Sequence, residues 1–379
     1  MQSIGLFFLS GAFVILLQVG DLFSNNVFSS SQLPKNLSVL EETDFNRLVF
    51  SSNVSLVAPY RVMQSFDIDS ENNIYYSQIG AANGFVPGKT KAHQLYIIKA
   101  QPNDNFSEYM TLTYFGHGSQ LAIEEEKEEV YIWIGSNASR YDSGEYWDAQ
   151  SVSRIQYESG EQYTGHGEDN YFLNKGIYRL GAALSLKGDL ICINGTKGGE
   201  RYFYTYRLSE VKSLPDSVFS IEVRVGGEEL GEKTETENRR VSGKNLNTLQ
   251  PLGFFKIPKG KNPREDVNTF HYQGFDIDEE GHVYFYEGDG HGTNQAIPHS
   301  YAFITVFDKN GNIKQKRRNV RAIEDIDSLV KNGLTNASGY MEAEGIKVKK
   351  DAIYLGFASH QKENNYRRAN ILKYNTRDQ

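Results

Sequence analysis

Residues 63–69 read Met-Gln-Ser-Phe-Asp-Ile-Asp, and residues 271–278 read His-Tyr-Gln-Gly-Phe-Asp-Ile-Asp. Each FDID phrase runs into a polar turn and then a second aromatic strand, IYYSQI from Ile74 in one case and VYFYEG from Val283 in the other. Apolar residues at every second position are the signature of a strand, and the polar turn between two such runs makes a hairpin. Two hairpins this alike are either one structural unit used twice or one ion site used twice. The two answers lead to different functions.

Three further stretches fit the hairpin once its acids are not demanded. They are GSQLAIE around Leu121 and Ile123 with VYIWIG from Val130, GAALSLKG around Leu184 and Leu186 with LICIN from Leu190, and AEGIKVK around Ile346 and Val348 with AIYLGF from Ala352. A third alternating strand follows in all five units: QLYIIKA, SVSRIQYE, YFYTYRL, YAFITVFD and NILKYN. Fourth strands are visible in YMTLTYF from Tyr109 and IKQKRRNV from Ile313. No clear fourth strand follows NILKYN, but NRLVFSS near Arg47 precedes the first unit and is placed to supply it, closing a ring. The units are unevenly spaced, which a solenoid of fixed rise does not tolerate and a ring of radial blades does. The expectation is an all-β, five-bladed β-propeller over residues 46–379, with about four antiparallel strands per blade. The longest interval holds a charged, glycine-containing insertion at 222–250, read as a protruding hairpin or mobile loop. One helix is expected, in AIEDIDSLVKNGL, where Ile323, Ile326, Leu329 and Val330 recur at helical spacing.

Composition agrees with strands: 24 Tyr, 22 Phe and 35 Gly stand against 9 Pro. A net charge of −8 argues against nucleic acid as a partner, because phosphate backbones require a basic face. The single cysteine, Cys192, excludes an intrachain disulfide and reads as a small buried hydrophobe. Residues 1–24 are expected to form a signal peptide or N-terminal anchor, since the chain is apolar from Ile4 to Val19 and carries no Lys or Arg before Lys35. Residues 25–45 then serve as a spacer, membrane attachment is confined to the N-terminal segment, and the protein is secreted or held at the cell surface.

The phrases VMQSFDID, YMTLTYFGHGSQLAIE with YIWIGS, HYQGFDIDEEGHVYFYEG with ITVFDKNG, EAEGIKV and ILKY occur in order over roughly residues 57 to 375. In them the chain resembles the β-propeller family shared by teichoic acid biosynthesis protein C and the receptor-binding proteins of short-tailed phages of Gram-positive bacteria. A more distant likeness is to the helveticin-type bacteriocins. The resemblance implies a five-bladed propeller that binds a cell-wall glycopolymer, in phages the wall teichoic acid of the host, and it implies no catalytic step. The apolar N-terminus points to an exported protein rather than a virion component. The third unit departs most from the shared pattern.

In a propeller the innermost strands all begin at one rim of the central channel, so the residues before them converge. Those positions are Gln64, Ser119, Ala182, Gln273 and Glu344, with His117, His271 and Glu342 two residues further out. Such a ring of amides, carboxylates, a hydroxyl and imidazoles matches a sugar or polyol phosphate. Alternatively, these groups satisfy one another around the channel. The leading reading is a non-catalytic module, without cofactor, whose ligand contacts are Gln64, His117, Ser119, His271, Gln273, Glu342 and Glu344. A second is a metal-dependent hydrolase or lyase acting on a phosphate- or sugar-containing polymer, with His117, His271 and Glu344 holding a divalent metal. A third is a helveticin-like bacteriocin. No G-x-S-x-G and no H-E-x-x-H occurs.

The acids of the two FDID loops, Asp67, Asp69 and Glu71 in one and Asp276, Asp278 and Glu280 in the other, have spacing that calcium could use. The other three units put LAIE, LSLK and IKVK there, so hairpin turns with solvated acids are preferred. Tyr146, Trp147 and Tyr202 are candidates for stacking on sugar rings, and the connection Glu287–Gln295 for a loop that touches ligand.

Overall fold

The FDID strands are the innermost strands of their blades. A computed structural model describes residues 37–80, 94–106, 108–140, 146–164, 169–173, 176–226, 234–290, 299–361 and 363–375. The chain is a five-bladed β-propeller of antiparallel sheets, each with at least four strands. Blade 1 comprises Met63–Ile68, Ile74–Ile79, Gln94–Ala100 and Glu108–Thr113, and blade 2 comprises Leu121–Glu126, Glu129–Arg140, Tyr146–Gln156 and Asp169–Phe172. Blade 3 comprises Tyr178–Leu184, Leu190–Lys197, Glu200–Arg207 and Gly253–Ile257, and blade 4 comprises Tyr272–Ile277, Val283–Asp289, Tyr301–Phe307 and Ile313–Asn319. Blade 5 takes Met341–Lys349, Ala352–His360 and Arg367–Asn375 from the C-terminal end, and its outer strand is Val49–Val54. That strand pairs Val49 with Leu372 and Val54 with Ala369, which closes the ring as expected.

Each middle strand faces two seams, which is why it reads as an unbroken apolar run. In blade 3, Ile191 and Ile193 pack toward blade 2 beside Trp133 and Tyr171, while Cys192 between them packs toward blade 4 beside Phe275 and Phe285. In blade 1, Ile74 and Tyr76 join Ile371 of blade 5, whereas Tyr75 joins Leu121 and Ile132 of blade 2. Tyr284 and Tyr286 of blade 4 join Ile353 and Leu355 of blade 5. Five apolar clusters thus fill five seams. Each buried large side chain stabilises the ring by roughly 1.5–3 kcal/mol. Cys192 is wholly buried, and burial pushes its thiol up to about 12, so it is inert packing as expected.

The insertion is a hairpin of Asp216–Gly226 against Thr234–Asn245. Its second strand runs parallel to Asp169–Phe172, so the hairpin extends the outer edge of blade 2 although its sequence lies inside blade 3. The expected helix is broken into a 3-10 turn, Arg321–Ile323, and a short helix, Ile326–Lys331. Asp325 separates them, because its carboxylate accepts the Ser328 N–H and caps a new N-terminus. Among the described residues no helix is long and apolar enough to cross a membrane. Residues 1–36, which carry the expected signal or anchor and most of the spacer, lie outside the described residues.

Two expectations need correction. The third unit was read two residues out of register: Leu184 pairs with Ile191 at the end of its hairpin, as Ile68 pairs with Ile74. The counterpart of Gln64 is therefore Leu180, and Ala182 is fully buried. The other error concerns the acids. Asp67 and Asp276 are buried, not solvated, because each stitches its blade to the next. Asp67 accepts the Ile123 N–H of blade 2 at 2.9 Å, and Asp276 accepts the Val348 N–H of blade 5 at 2.6 Å. Lys347 lies between them, 3.0 Å from Asp67 and 3.3 Å from Asp276. Burial pushes Asp276 up to about 6, with Lys347 opposing and Asp67 reinforcing the shift. Burial also disfavours the Lys347 charge, but the two carboxylates outweigh it and hold its pKa above the ordinary value. Asp69 and Asp278 do form hairpin turns, each accepting two backbone N–H groups from the residues that follow.

Candidate functional site at the channel mouth

Four of the five inner strands carry a β-bulge where they enter the channel. The irregularities fall between Met63 and Ser65, between Tyr178 and Gly181, between Tyr272 and Gly274, and between Ala343 and Ile346. A bulge inserts an extra residue and re-aims its side chain. The residues so placed are Gln64, Arg179 with Leu180, Gln273, and Glu344 with Gly345. Gly274 and Gly345 sit at φ +125° and +96°, in the left-handed region where a Cβ strains the backbone, and this local need explains both glycines.

Together the bulges surround a cavity of about 580 Å³. All seven residues singled out from the sequence, Gln64, His117, Ser119, His271, Gln273, Glu342 and Glu344, line it. Four arginines that the sequence reading missed line it too: Arg61, Arg179, Arg201 and Arg367. Arg201 and Arg367 stand at or near the start of third strands. A third strand begins on the same rim as the first, after a second strand has carried the chain back. That topological fact was the available signal for these two arginines.

The blade 1–3 side of the mouth is electropositive. Burial first, and then the charges of Arg179 and Arg61, push His117 down to about 3, so its imidazole is neutral at physiological pH. Arg201 lies over the ring of Tyr272 at 3.7 Å, and burial lowers it to about 10, leaving it a cation. Arg179 also pairs with Asp148 at 3.2 Å.

Blades 4 and 5 carry the acids. His271 Nδ1 lies 3.0 Å from the buried carboxylate of Asp289, which also accepts the Tyr301 hydroxyl at 3.3 Å. That contact fixes the imidazole orientation, leaves Nε2 outward and raises the His271 pKa. The Tyr340 hydroxyl donates to Glu342. Burial raises Glu342 above the ordinary carboxyl range, against the lowering by Tyr340 and Arg367. Glu344 is raised well above its ordinary value, by burial and then by the charge of Glu342. Gln273 donates to the Gly288 carbonyl at 3.1 Å, which anchors one rim amide.

Beneath the mouth Gln120 spans the channel. Its amide donates to the carbonyls of Phe275 and Ala182, and its oxygen accepts the Phe275 N–H at 3.1 Å. Sequence reading placed Ser119 at this rim and passed over its neighbour, because nothing in GSQLAIE marks which polar residue turns inward. His117, His271 and Glu344 share the cavity, yet among the described residues no group of three His, Cys, Asp or Glu side chains could hold a metal ion. The three stand around one cavity on different parts of the ring. The side chains of Tyr146 and Trp147, and residues 291–295 of the Glu287–Gln295 connection, lie outside the described residues. Tyr202 is half-buried in blade 3 and donates to Glu200 at 2.7 Å.

Residues 62–161 match the family described as the phage 5-bladed beta propeller receptor binding platform domain. The chain is 23% identical over 312 residues, 81% of its length, to a Bacillus subtilis (strain 168) protein named for major teichoic acid biosynthesis, protein C. It spans 58% of that relative's length. These two matches bear out the likeness read from the sequence. Looser overlays on solved structures include a catalytically inactive virginiamycin B lyase from Staphylococcus aureus with quinupristin, at 11% identity over 84% of this chain and 98% of that one, with a TM-score of 0.30. The polysaccharide lyase Uly1 overlays at 9% identity, 88% and 98% coverage and a TM-score of 0.31. Overlays this loose have no bearing on function.

Proposed function

We propose that this chain is an exported, non-catalytic β-propeller that binds an anionic cell-surface glycopolymer of the wall teichoic acid class at its channel mouth. Residues 1–24 serve in this reading as the export signal or anchor, and 46–379 as the binding domain. The observation that carries it is the presence of four arginines around one cavity in a chain of net charge −8. A planar guanidinium donates two parallel hydrogen bonds to a phosphodiester, and partial burial strengthens them. Gln64, Ser119, Gln273 and the outward Nε2 of His271 complement the polymer's hydroxyls. The receptor-binding description of the matched family and the teichoic-acid name of the relative support the same substrate class.

Co-sedimentation with Gram-positive cell walls tests the reading. Binding to intact walls and not to walls stripped of their anionic polymer is expected, with the intact-wall signal weakened in His271→Ala and Gln64→Ala. Equal binding to both wall preparations would remove the proposal.

A further inference from the structure

One carboxylate at the mouth has no partner among the described residues. Glu344 is only 4% exposed, lines the cavity, and makes no hydrogen bond or ion pair among the described residues. After burial, the charge of Glu342 acts most strongly on it, Arg367 opposes that effect, and Asp289 adds to it. Arg367 is the cation of this side, but it lies over the Tyr340 ring at 4.5 Å and pairs with neither glutamate among the described residues. A buried, unpaired carboxylate is costly, and a fold that keeps one aimed into an open cavity holds it for something that arrives from outside. The arginines that act on His117, Arg61 and Arg179, belong to the other side. The mouth is thus polarised across its width.

We infer that Glu344, flanked by Glu342 and Asp289, receives a primary ammonium group carried by the polymer, while Arg61, Arg179 and Arg201 take its phosphates. The inference rests on the glycopolymer reading and narrows it to a zwitterionic repeat: a phosphodiester unit bearing an esterified amino acid or an amino sugar. An ammonium suits the place because it offers three donors, and Glu344, Glu342 and Gln64 all line the same cavity. Gln64 is 7% exposed and lines the same cavity. A hydroxyl would leave the carboxylates without countercharge.

The test uses soluble wall polymer carrying aminoacyl esters, compared with the same polymer after its amines are blocked by acetylation. The wild-type chain is expected to bind the amine-bearing form about tenfold or more tighter, the size of one buried charge pair. Glu344→Gln is expected to bind both forms equally, at the level of the blocked polymer, and Glu342→Gln to retain part of the preference. Both variants preserve shape, and an unchanged or raised Tm certifies their folding. Wild-type binding to the two forms with equal affinity, or a preference that survives in Glu344→Gln, overturns the inference and leaves the glycopolymer reading standing. Absence of binding to either form overturns both.

Discussion

Two sets of buried charges share one channel and differ in where their partners are. Deep in the ring, Asp67, Lys347 and Asp276 satisfy one another and two backbone N–H groups of neighbouring blades. At the mouth, among the described residues, Glu344 has no hydrogen-bond or ion-pair partner and Glu342 has one tyrosine hydroxyl. The closed set is architecture: its groups hold three inner strands in register and leave nothing to offer a ligand. The open set is chemistry held ready, and its cost is tolerated because the outer faces of those groups meet solvent or ligand. Buried polar residues in a propeller channel are therefore sorted by their partners rather than by their identity.

The comparison breaks first at Lys347. Lys347→Met leaves two buried carboxylates facing each other, and a loss of about 3–5 kcal/mol is expected in chemical denaturation. A loss below about 1 kcal/mol would mean that the deep set is not structural. At the mouth the effect belongs to binding. Arg201→Ala is expected to weaken polymer affinity by roughly 1.5–3 kcal/mol, the worth of a hydrogen bond to a charged group. A titration of the variant that matches wild type would remove Arg201 from the site.

Gly345→Ala couples the two sets, since its residue lies on the strand that carries both Glu344 and Lys347. At φ +96°, with Ser65 and Phe66 atoms 3.1–3.3 Å from the new Cβ, a cost of roughly 1–3 kcal/mol is expected. The bulge account adds that polymer affinity falls with stability; an affinity unmoved by the substitution would show that the bulge does not aim Glu344.

The smallest effect has the opposite sign. Glu344 has a raised folded pKa, so between its ordinary value near 4.5 and that raised value the native state binds more protons than the unfolded one. Its contribution to stability therefore falls as pH rises through that window. Glu344→Gln should be more stable than wild type by about 1 kcal/mol at pH 8, and the gain should shrink toward pH 5. Melting curves of both proteins over that range check the sign.

How much of this was legible follows from the same physics. Strand alternation and the apolar middle strands mark the blades, because a residue facing a seam must be apolar whatever the function. The seven rim residues were found because propeller topology brings strand starts together. Arg61, Arg179, Arg201 and Arg367 were missed because an arginine in a loop or at the end of a strand looks solvated until its neighbours in space are known. Arg179 also depends on a bulge, and the missing acids of the third unit allowed its register to be set two residues off. Asp67 and Asp276 were misjudged for a related reason. Their countercharge, Lys347, lies some 70 residues or more away in a unit that had seemed merely to lack the acids.

The most direct test of the central claim is the affinity of the chain for purified, soluble phosphodiester wall polymer as salt is raised. Saturable binding that weakens steadily with salt is predicted for wild type, with binding abolished in Arg61→Ala/Arg201→Ala while that variant remains folded, as its melting transition checks. Salt-independent binding, or a double variant that binds as wild type does, would contradict the claim that the channel mouth is the binding site.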